Sequence, residues 1–431
     1  MNLKAFLRSK VDRAALRNAL DRFFHAPVLY RKGVLPFFLL LLAAIIMVKA
    51  YTHTMSWDTD TPSFYTAAVG FQTEVNIYDP AAFDALAASL FGRSVTVYPY
   101  IYFPVLAQLL IPLSRLGYPA FSQLILALNL ALTFLCLWLI MRVVRPAERD
   151  RPALLLFLFI SAAVSEPLNT TLHHGQVNLW VLTLVLAAVL LFDRGREFWA
   201  VALLCLAVFF KFYPVLIFAL FLFQKRFRAL GYAVLHGLLI TGLSVVLLGI
   251  RPWLDFFTSA TGNFLYGAKA SFFFDFNAQW GNNSLNGLFT QVLLGMGASR
   301  SLALPLVLVS FLIFLAFLWR PFTRVVAGRD LTIGVSLALL LSLILSTISW
   351  NHHYVILLLP LAVLVNLLLV RRDYGRLLFV LALTAVAWRH PMWGGLPFNQ
   401  FLLAATVVLT VLFLAAAGRP NRPGREEART A

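Results

Sequence analysis

The chain has 431 residues, 61% of them hydrophobic and only 12% charged, with a mean hydropathy of +0.83. Soluble domains run about 45–50% apolar and about 25% charged, so the composition excludes a disordered chain and a water-soluble globule. The formal net charge of +17 would point to nucleic acid in a soluble protein. In a membrane protein it reports the positive-inside rule, and the placement of the charges decides between the two.

A spanning helix needs roughly 20 apolar residues, which leaves room for on the order of a dozen spans. The short alternating segments of a transmembrane barrel are not seen. Long unbroken runs such as 34–50 and 120–144 take their place, so the expected class is an all-α polytopic membrane protein. The first 33 residues carry Lys4, Lys10, Lys32 and five arginines, interleaved with Phe6 and Leu7. They read as a basic cytoplasmic segment lying on the membrane surface. The charged stretch is too long for a signal peptide and no small-residue cleavage site follows Ala50, so a retained first span is expected.

Spans are then expected near 34–50, 119–142, 153–170, 177–192, 198–210, 214–224, 229–250, 302–319, 331–349, 355–370, 377–389 and 400–417. Two of these, 198–210 and 377–389, are too short to cross upright and are read as tilted, half-helical or buried in protein. No internal repeat is visible, which counts against a secondary transporter. Cys136 and Cys205 sit in apolar runs and read as small core residues, not as a disulfide or metal site.

Starting inside, alternate connections place 1–33, 142–151, 193–197, 225–228, 320–329, 371–376 and a basic tail from 419 to 431 on one side. These pieces hold 27 of the 35 lysines and arginines. The asymmetry puts both termini in the cytoplasm and removes the nucleic-acid reading. The domain expected between them, 34–418, has two long outer loops at 51–118 and 251–300. In the first, the apolar stretch 103–116 is too short to span and is expected to lie along the membrane.

The outer side collects the polar residues. The first loop has Trp57, Asp58, Asp60, Tyr65, Glu74, Tyr78, Asp79 and the 98–104 stretch; the second has Arg251, Trp253, Tyr266, Lys269, Asp275, Trp280, Asn282, Asn283 and Ser284. Three shorter segments add His173, His174, Gln176 and Asn178, then Lys211 to Pro214, then Trp350, His352, His353 and Tyr354. Each has a structural reading. Asp58 or Asp60 can cap the helix starting near Pro62, and the histidine pairs can bond at the interface. Lys211 can snorkel, Gln176 and Asn178 can glue helices together, and Trp350, Tyr354 and Trp253 can form an aromatic belt. Their coincidence at one membrane level points instead to a site, because ionisable groups there are costly. Neither His-His pair has the i, i+4 spacing of a helical metal site.

In chain order, Asp60 with Phe64–Tyr65, Ala67–Ala68 and Gly70 come first, followed by Tyr78–Asp79–Pro80, Tyr98–Pro99 and Pro104. Gly175–Gln176–Val177–Asn178, Lys211 with Pro214, Asn283–Ser284 and Trp350 with His352–His353 complete the set. The ordered set, spread over roughly 34–400, resembles glycosyltransferase family 87, membrane enzymes of the GT-C superfamily. That family includes polyprenyl-phosphate-mannose-dependent α-1,2-mannosyltransferases and related arabinofuranosyltransferases. Two departures stand out. Asp58 lies two residues from Asp60 and competes for the acidic position, and Tyr98-Pro99-Tyr100 replaces the commoner Tyr-Pro-Pro.

The resemblance implies a GT-C fold with surface helices in the first periplasmic loop, in a bacterial inner membrane. It also implies a lipid-linked donor, in keeping with nucleotide sugars being cytoplasmic. An acceptor hydroxyl would attack the anomeric carbon with inversion, with Asp60 or Asp58 as general base. Lys211, His352, His353, His174 and Arg251 are the candidates for stabilising the departing phosphate. Gln176, Asn178, Asn283 and Ser284 would orient hydroxyls, and Trp350 or Trp57 would stack on a sugar. No cofactor is expected: a divalent metal is possible but not required for a monophosphate leaving group. The expected donor is polyprenyl-phosphate mannose and the acceptor a lipid or glycan. The alternatives are an arabinofuranose or other donor, another acceptor class, or a polyprenyl-linked-sugar flippase without covalent chemistry.

Overall fold

The computed structural model describes residues 13–25, 34–51, 59–92, 97–261, 265–268, 281–328, 330–389 and 400–418, and all its regular elements are helical. Trp57, Asp58, Lys269, Asp275, Trp280 and the tail from 419 lie outside the described residues. The helices are α1 (Arg13–Phe24), α2 (Val34–Tyr51), α3 (Asp60–Gly70), α4 (Pro80–Phe91), α5 (Pro104–Ser114), α6 (Tyr118–Val144) and α7 (Arg151–Val164). They continue as α8 (Glu166–His174), α9 (Asn178–Asp193), α10 (Glu197–Phe210), α11 (Leu216–Phe223), α12 (Phe227–Leu248), α13 (Arg251–Asp255) and α14 (Leu285–Gly295). The last five are α15 (Ala303–Ala327), α16 (Leu331–Leu345), α17 (Leu358–Val370), α18 (Tyr374–Arg389) and α19 (Phe401–Ala417).

Helix boundaries follow local chemistry. Asp79 caps α4 by accepting from Ala82 N at 2.8 Å, with Pro80 at the first helical position, where the missing N–H costs nothing. Asp330 caps α16 through Ile333 N at 3.1 Å. Within α15, Leu318 leaves helical geometry at φ −112°, ψ 15°, three residues before Pro321. The proline ring clashes with the preceding turn and removes one hydrogen bond.

Burial sorts the bundle into a centre and a rim. Helices α16 and α17 are buried along almost their whole lengths and α9 over more than half of its residues, with Ala188 of α9 and Ala200 and Ala207 of α10 fully enclosed. Small residues of this kind let helix backbones approach closely. By contrast, only 11% of the apolar windows of α12 and of Arg300–Ala327 is buried. Apolar surface on that scale is foreign to soluble monomers and is the surface of a polytopic membrane protein. Four described helices are long and apolar enough to cross a membrane, five if α7 and α8, bent by 55°, count as one.

The basic connections gather at one end of the bundle in a closed circuit. Asp21 of α1 pairs with Arg149, which precedes α7, and Arg145 reaches Asp193 at 2.9 Å. Arg228 approaches Glu197 at 3.9 Å, and Gln224 donates to the Gly328 carbonyl at 2.9 Å. Arg324 donates to the Gly418 carbonyl at 3.3 Å, and Arg371 to that of Ala416. Arg372 closes the circuit on Asp21 at 3.8 Å. Helix α1 is further fastened by His25 Nε2 on Asp150 at 2.8 Å and by stacking of Phe24 on Tyr374. Burial alone would raise the Asp21 carboxyl, but the Tyr374 hydroxyl and the two arginines hold it below the ordinary range.

Candidate functional site

A second concentration of polar groups is assembled from α3, α8 and the segments that begin α9, α11 and α17. Asp60 is 7% exposed and is the first residue of α3, not its cap. Thr59 holds the cap position and makes no side-chain cap bond, so the capping reading of Asp60 fails. Against it stands His174, whose Nδ1 lies 3.6 Å from the carboxylate. The chain delivers His174 there because α8 ends on Gly175, at φ +65°. Only glycine occupies that left-handed region without strain, and a Cβ on Gly175 would sit 2.1 Å from Thr61 Oγ1. The same close approach lets Thr61 donate to the His174 carbonyl at 3.2 Å, tying α3 to the end of α8.

His352 and His353 open a 3₁₀ turn, Asn351–Leu357, ahead of α17. The His352 carbonyl accepts from both Thr171 and Asn178, each at 3.0 Å. This pins the backbone while the His352 Nε2 stays buried and without a hydrogen-bond partner. The imidazoles form a file: ring centroids are 5.1 Å apart for His173–His174, 5.8 Å for His174–His352 and 4.6 Å for His352–His353. Tyr213 extends it, 6.1 Å beyond His353.

Lys211 sits in the break between α10 and the 3₁₀ turn Tyr213–Val215. It does not snorkel. It is 7% exposed, its Nζ has no hydrogen-bond partner, and it lies 5.7 Å from the centre of the Tyr102 ring, within cation–π range. Burial pushes its pKa down to about 7 against the pull of Asp60. Tyr102 is held by Gln176 Nε2 at 3.0 Å. Lys211 also lines a cavity of about 610 Å³, together with His353, Trp350, Tyr213, Phe212 and Phe257. One wall carries a π-helical turn, Phe256–Ala260, an irregularity frequent at functional sites.

The remaining candidates divide. Asn283 Oδ1 is buried without a hydrogen-bond partner, whereas the Ser284 hydroxyl is engaged, capping α14 through Gly287 N at 3.0 Å. Arg251 is not brought to the cluster: its side chain is 83% exposed, paired with Asp255 at 3.4 Å and outside the cavity lining. Trp253 and Tyr354 are buried, which removes their belt reading. Helix α5, expected along the membrane, buries one face at Pro104, Val105, Leu106, Ala107 and Leu110 and leaves Leu109 exposed on the other. Cys136 and Cys205 are free and buried. Among the described residues no group of three His, Cys, Asp or Glu converges as metal ligands.

Sequence reasoning passed over Tyr102 and Thr61, and gave Asn282 no role beyond its place in the polar second loop. Tyr102 carries the Lys211 contact, and Thr61 the α3–α8 junction. Asn282 accepts from Ser349 N at 2.9 Å and from Ser284 Oγ at 2.8 Å, joining the second loop to the segment before His352. Tyr102 and Asn282 stand in stretches already conspicuous for polarity, but only the fold shows what they touch.

The model of glycosyltransferase family 87 matches residues 100–347. A polyprenol-phosphate-mannose-dependent alpha-(1-2)-phosphatidylinositol mannoside mannosyltransferase from Mycobacterium tuberculosis is 28% identical over 285 residues, covering 64% of this chain and 63% of that protein. The chain thus matches somewhat less than two thirds of that relative's length.

Proposed function

From the premise that the chain belongs to glycosyltransferase family 87, we propose that it transfers a sugar, mannose in the first instance, from a polyprenyl-phosphate donor to a glycolipid acceptor. The observation carrying this reading is the buried Lys211 ammonium, without a hydrogen-bond partner, at the wall of an apolar cavity beside His353 and within the field of Asp60. A buried cation without a hydrogen bond is costly. A phosphate is the partner that fits it, and an apolar cavity suits the lipid attached to that phosphate.

In this reading the acceptor hydroxyl attacks the anomeric carbon and gives its proton to Asp60, or to Asp58, as general base. The carbon–oxygen bond to the phosphate breaks on the opposite side, so the configuration inverts. Lys211, with the His352 and His353 rings, takes the charge developing on the departing phosphate. Gln176, Asn178 and Asn283 with Trp350 shape the sugar pocket, and Ser284 supports it through Asn282. A fixed ammonium and ring donors meet a monophosphate without a resident metal.

We place the basic circuit at the cytoplasmic side, as the positive-inside rule prefers, with both termini there. The expected spans of 34–418 then cross the membrane, and 51–118 and 251–300 face the periplasm. The catalytic cluster, built from the other ends of the same helices, works on the outer side. The test is transfer by purified protein with polyprenyl-phosphate mannose and a phosphatidylinositol mannoside extract. A mannosylated lipid that fails to form with Lys211→Met supports the reading, and a wild type that turns over neither mannose nor arabinofuranose donors refutes it.

A further inference from the structure

The cavity accounts for Lys211, His353 and Trp350, yet it leaves an entire face of α8 unused. Glu166, Asn169, Thr170 and His173 recur at the i, i+3, i+4 and i+7 positions that share one side of a helix. The other side, Pro167, Leu168, Thr171 and Leu172, is buried. Glu166 is exposed, the other three are half-buried, and none of the four lines the cavity.

The four are fastened into one ledge. Asn169 Nδ2 lies 3.5 Å from Glu166 Oε2, Asn351 donates to Thr170 Oγ1 at 3.3 Å, and Asn169 Oδ1 is buried without a hydrogen-bond partner. The ledge ends at the proposed base: the His173 ring packs 5.1 Å from that of His174, which is 3.6 Å from Asp60. Glu166 begins α8 just after the 55° bend from α7, 15 residues from the start of a hydrophobic pair of helices. Ionisable groups within such apolar helix pairs are rare and usually face a pathway.

We infer that this face of α8 is the acceptor subsite, binding the hydroxyls of a polyhydroxylated lipid headgroup and feeding one of them to Asp60. A carboxylate, an amide, a hydroxyl and an imidazole are the donors and acceptors that sugar or inositol hydroxyls require. The ledge carries no lysine or arginine, so it does not suit the phosphate. From Glu166 to His173 it runs about 10 Å at the helical rise, enough for more than one ring. Acceptor and donor thus approach Asp60 from different sides, α8 on one and the Lys211 cavity on the other. The inference rests on the transferase reading above.

The experiment uses the full chain in lipid nanodiscs, with polyprenyl-phosphate mannose as donor and phosphatidylinositol mannoside as acceptor probe. For Glu166→Ala/Asn169→Ala the acceptor KM rises about tenfold, the scale of one lost hydrogen bond to a charged group, while the donor KM stays within about twofold of wild type. Glu166→Gln, which keeps an acceptor oxygen, recovers most of the difference. An unchanged acceptor KM, or both KM values rising in step as a structural defect would make them, overturns the ledge. Acceptor binding without donor, read as lipid adducts by native mass spectrometry, separates the two readings. Adducts lost in the double variant with no transfer by wild type would leave the ledge standing and the transferase reading refuted. Equal adducts in both proteins overturn the ledge whether or not transfer occurs.

Discussion

His174 Nδ1 faces the Asp60 carboxylate at 3.6 Å, and each reaches that position by a different local device. Asp60 arrives by opening α3, whereas His174 arrives by closing α8 on a left-handed glycine. At that length the imidazole stands beside the carboxylate as an electrostatic neighbour, just beyond hydrogen-bond distance. In the proposed reaction His174 is a positioning residue for Asp60, and its ring continues the file toward His352 and His353.

Replacing Asp60 with asparagine keeps the shape and removes the proton acceptor. The expected loss in kcat is on the order of 10²- to 10⁴-fold, with the donor KM little changed. Asp58→Asn, run beside it, is expected to retain most of the rate. Initial rates of mannose transfer check both, and a greater loss in Asp58→Asn would move the base to that residue.

Lys211 introduces a pH dependence whose sign is fixed. Its folded pKa, about 7, lies below the ordinary lysine value of 10.5 because burial penalises the charged form. The ammonium is therefore present below that pH and lost as pH rises through it. Donor affinity, and with it kcat/KM for the donor, should fall above pH 7, while kcat itself changes less because bound phosphate holds the proton on. Lys211→Arg, which stays charged, is expected to flatten the profile at the cost of a weaker fit. A wild-type donor profile that is level from pH 6 to 9 would contradict the assignment.

The apolar runs foretold the positions of the helices because hydrocarbon thickness constrains run length and lipid tolerates few backbone alternatives. Helices α6, α9, α12 and α17 begin or end within a few residues of the expected spans. Side-chain fate was less legible, because depth in the bundle depends on partners that one strand of sequence does not display. Lys211 has the stem to snorkel, yet the fold closes over it. Arg251 has the charge to bind phosphate, yet its short helix points it outward to Asp255. Asp60 follows the signature of a cap and turns out to be inside the helix. The basic circuit was visible only as a bias in loop charge; its closure through Asp21 needed the three-dimensional neighbours of α1.

If the 610 Å³ cavity houses the donor lipid, narrowing it should discriminate by chain length. Thr261 is half-buried in the cavity wall. Thr261→Trp is expected to raise the KM for a long-chain polyprenyl-phosphate mannose about tenfold, a loss comparable to unburying one or two methylenes. A short-chain analogue should be affected about twofold or less. Equal effects on both donors would place the lipid elsewhere.

Gly175 tests whether the α3–α8 junction holds the site together. Alanine at φ +65° costs on the order of 1–2 kcal/mol in backbone strain alone, and here its Cβ also meets Thr61 Oγ1 at 2.1 Å. Gly195 is the control, since it adopts φ +71° with nothing within 4 Å of an added Cβ. Gly195→Ala should lower the thermal midpoint modestly and leave transfer intact. Gly175→Ala must move either Thr61 or the His174 carbonyl that Thr61 bonds, so it should lower stability further and reduce kcat. Thr61→Ala/Gly175→Ala removes the clashing hydroxyl and should recover part of the stability but little of the activity, because the bond that seats His174 beside Asp60 is gone. Equal effects of Gly175→Ala and Gly195→Ala on kcat would show that the junction contributes backbone geometry alone.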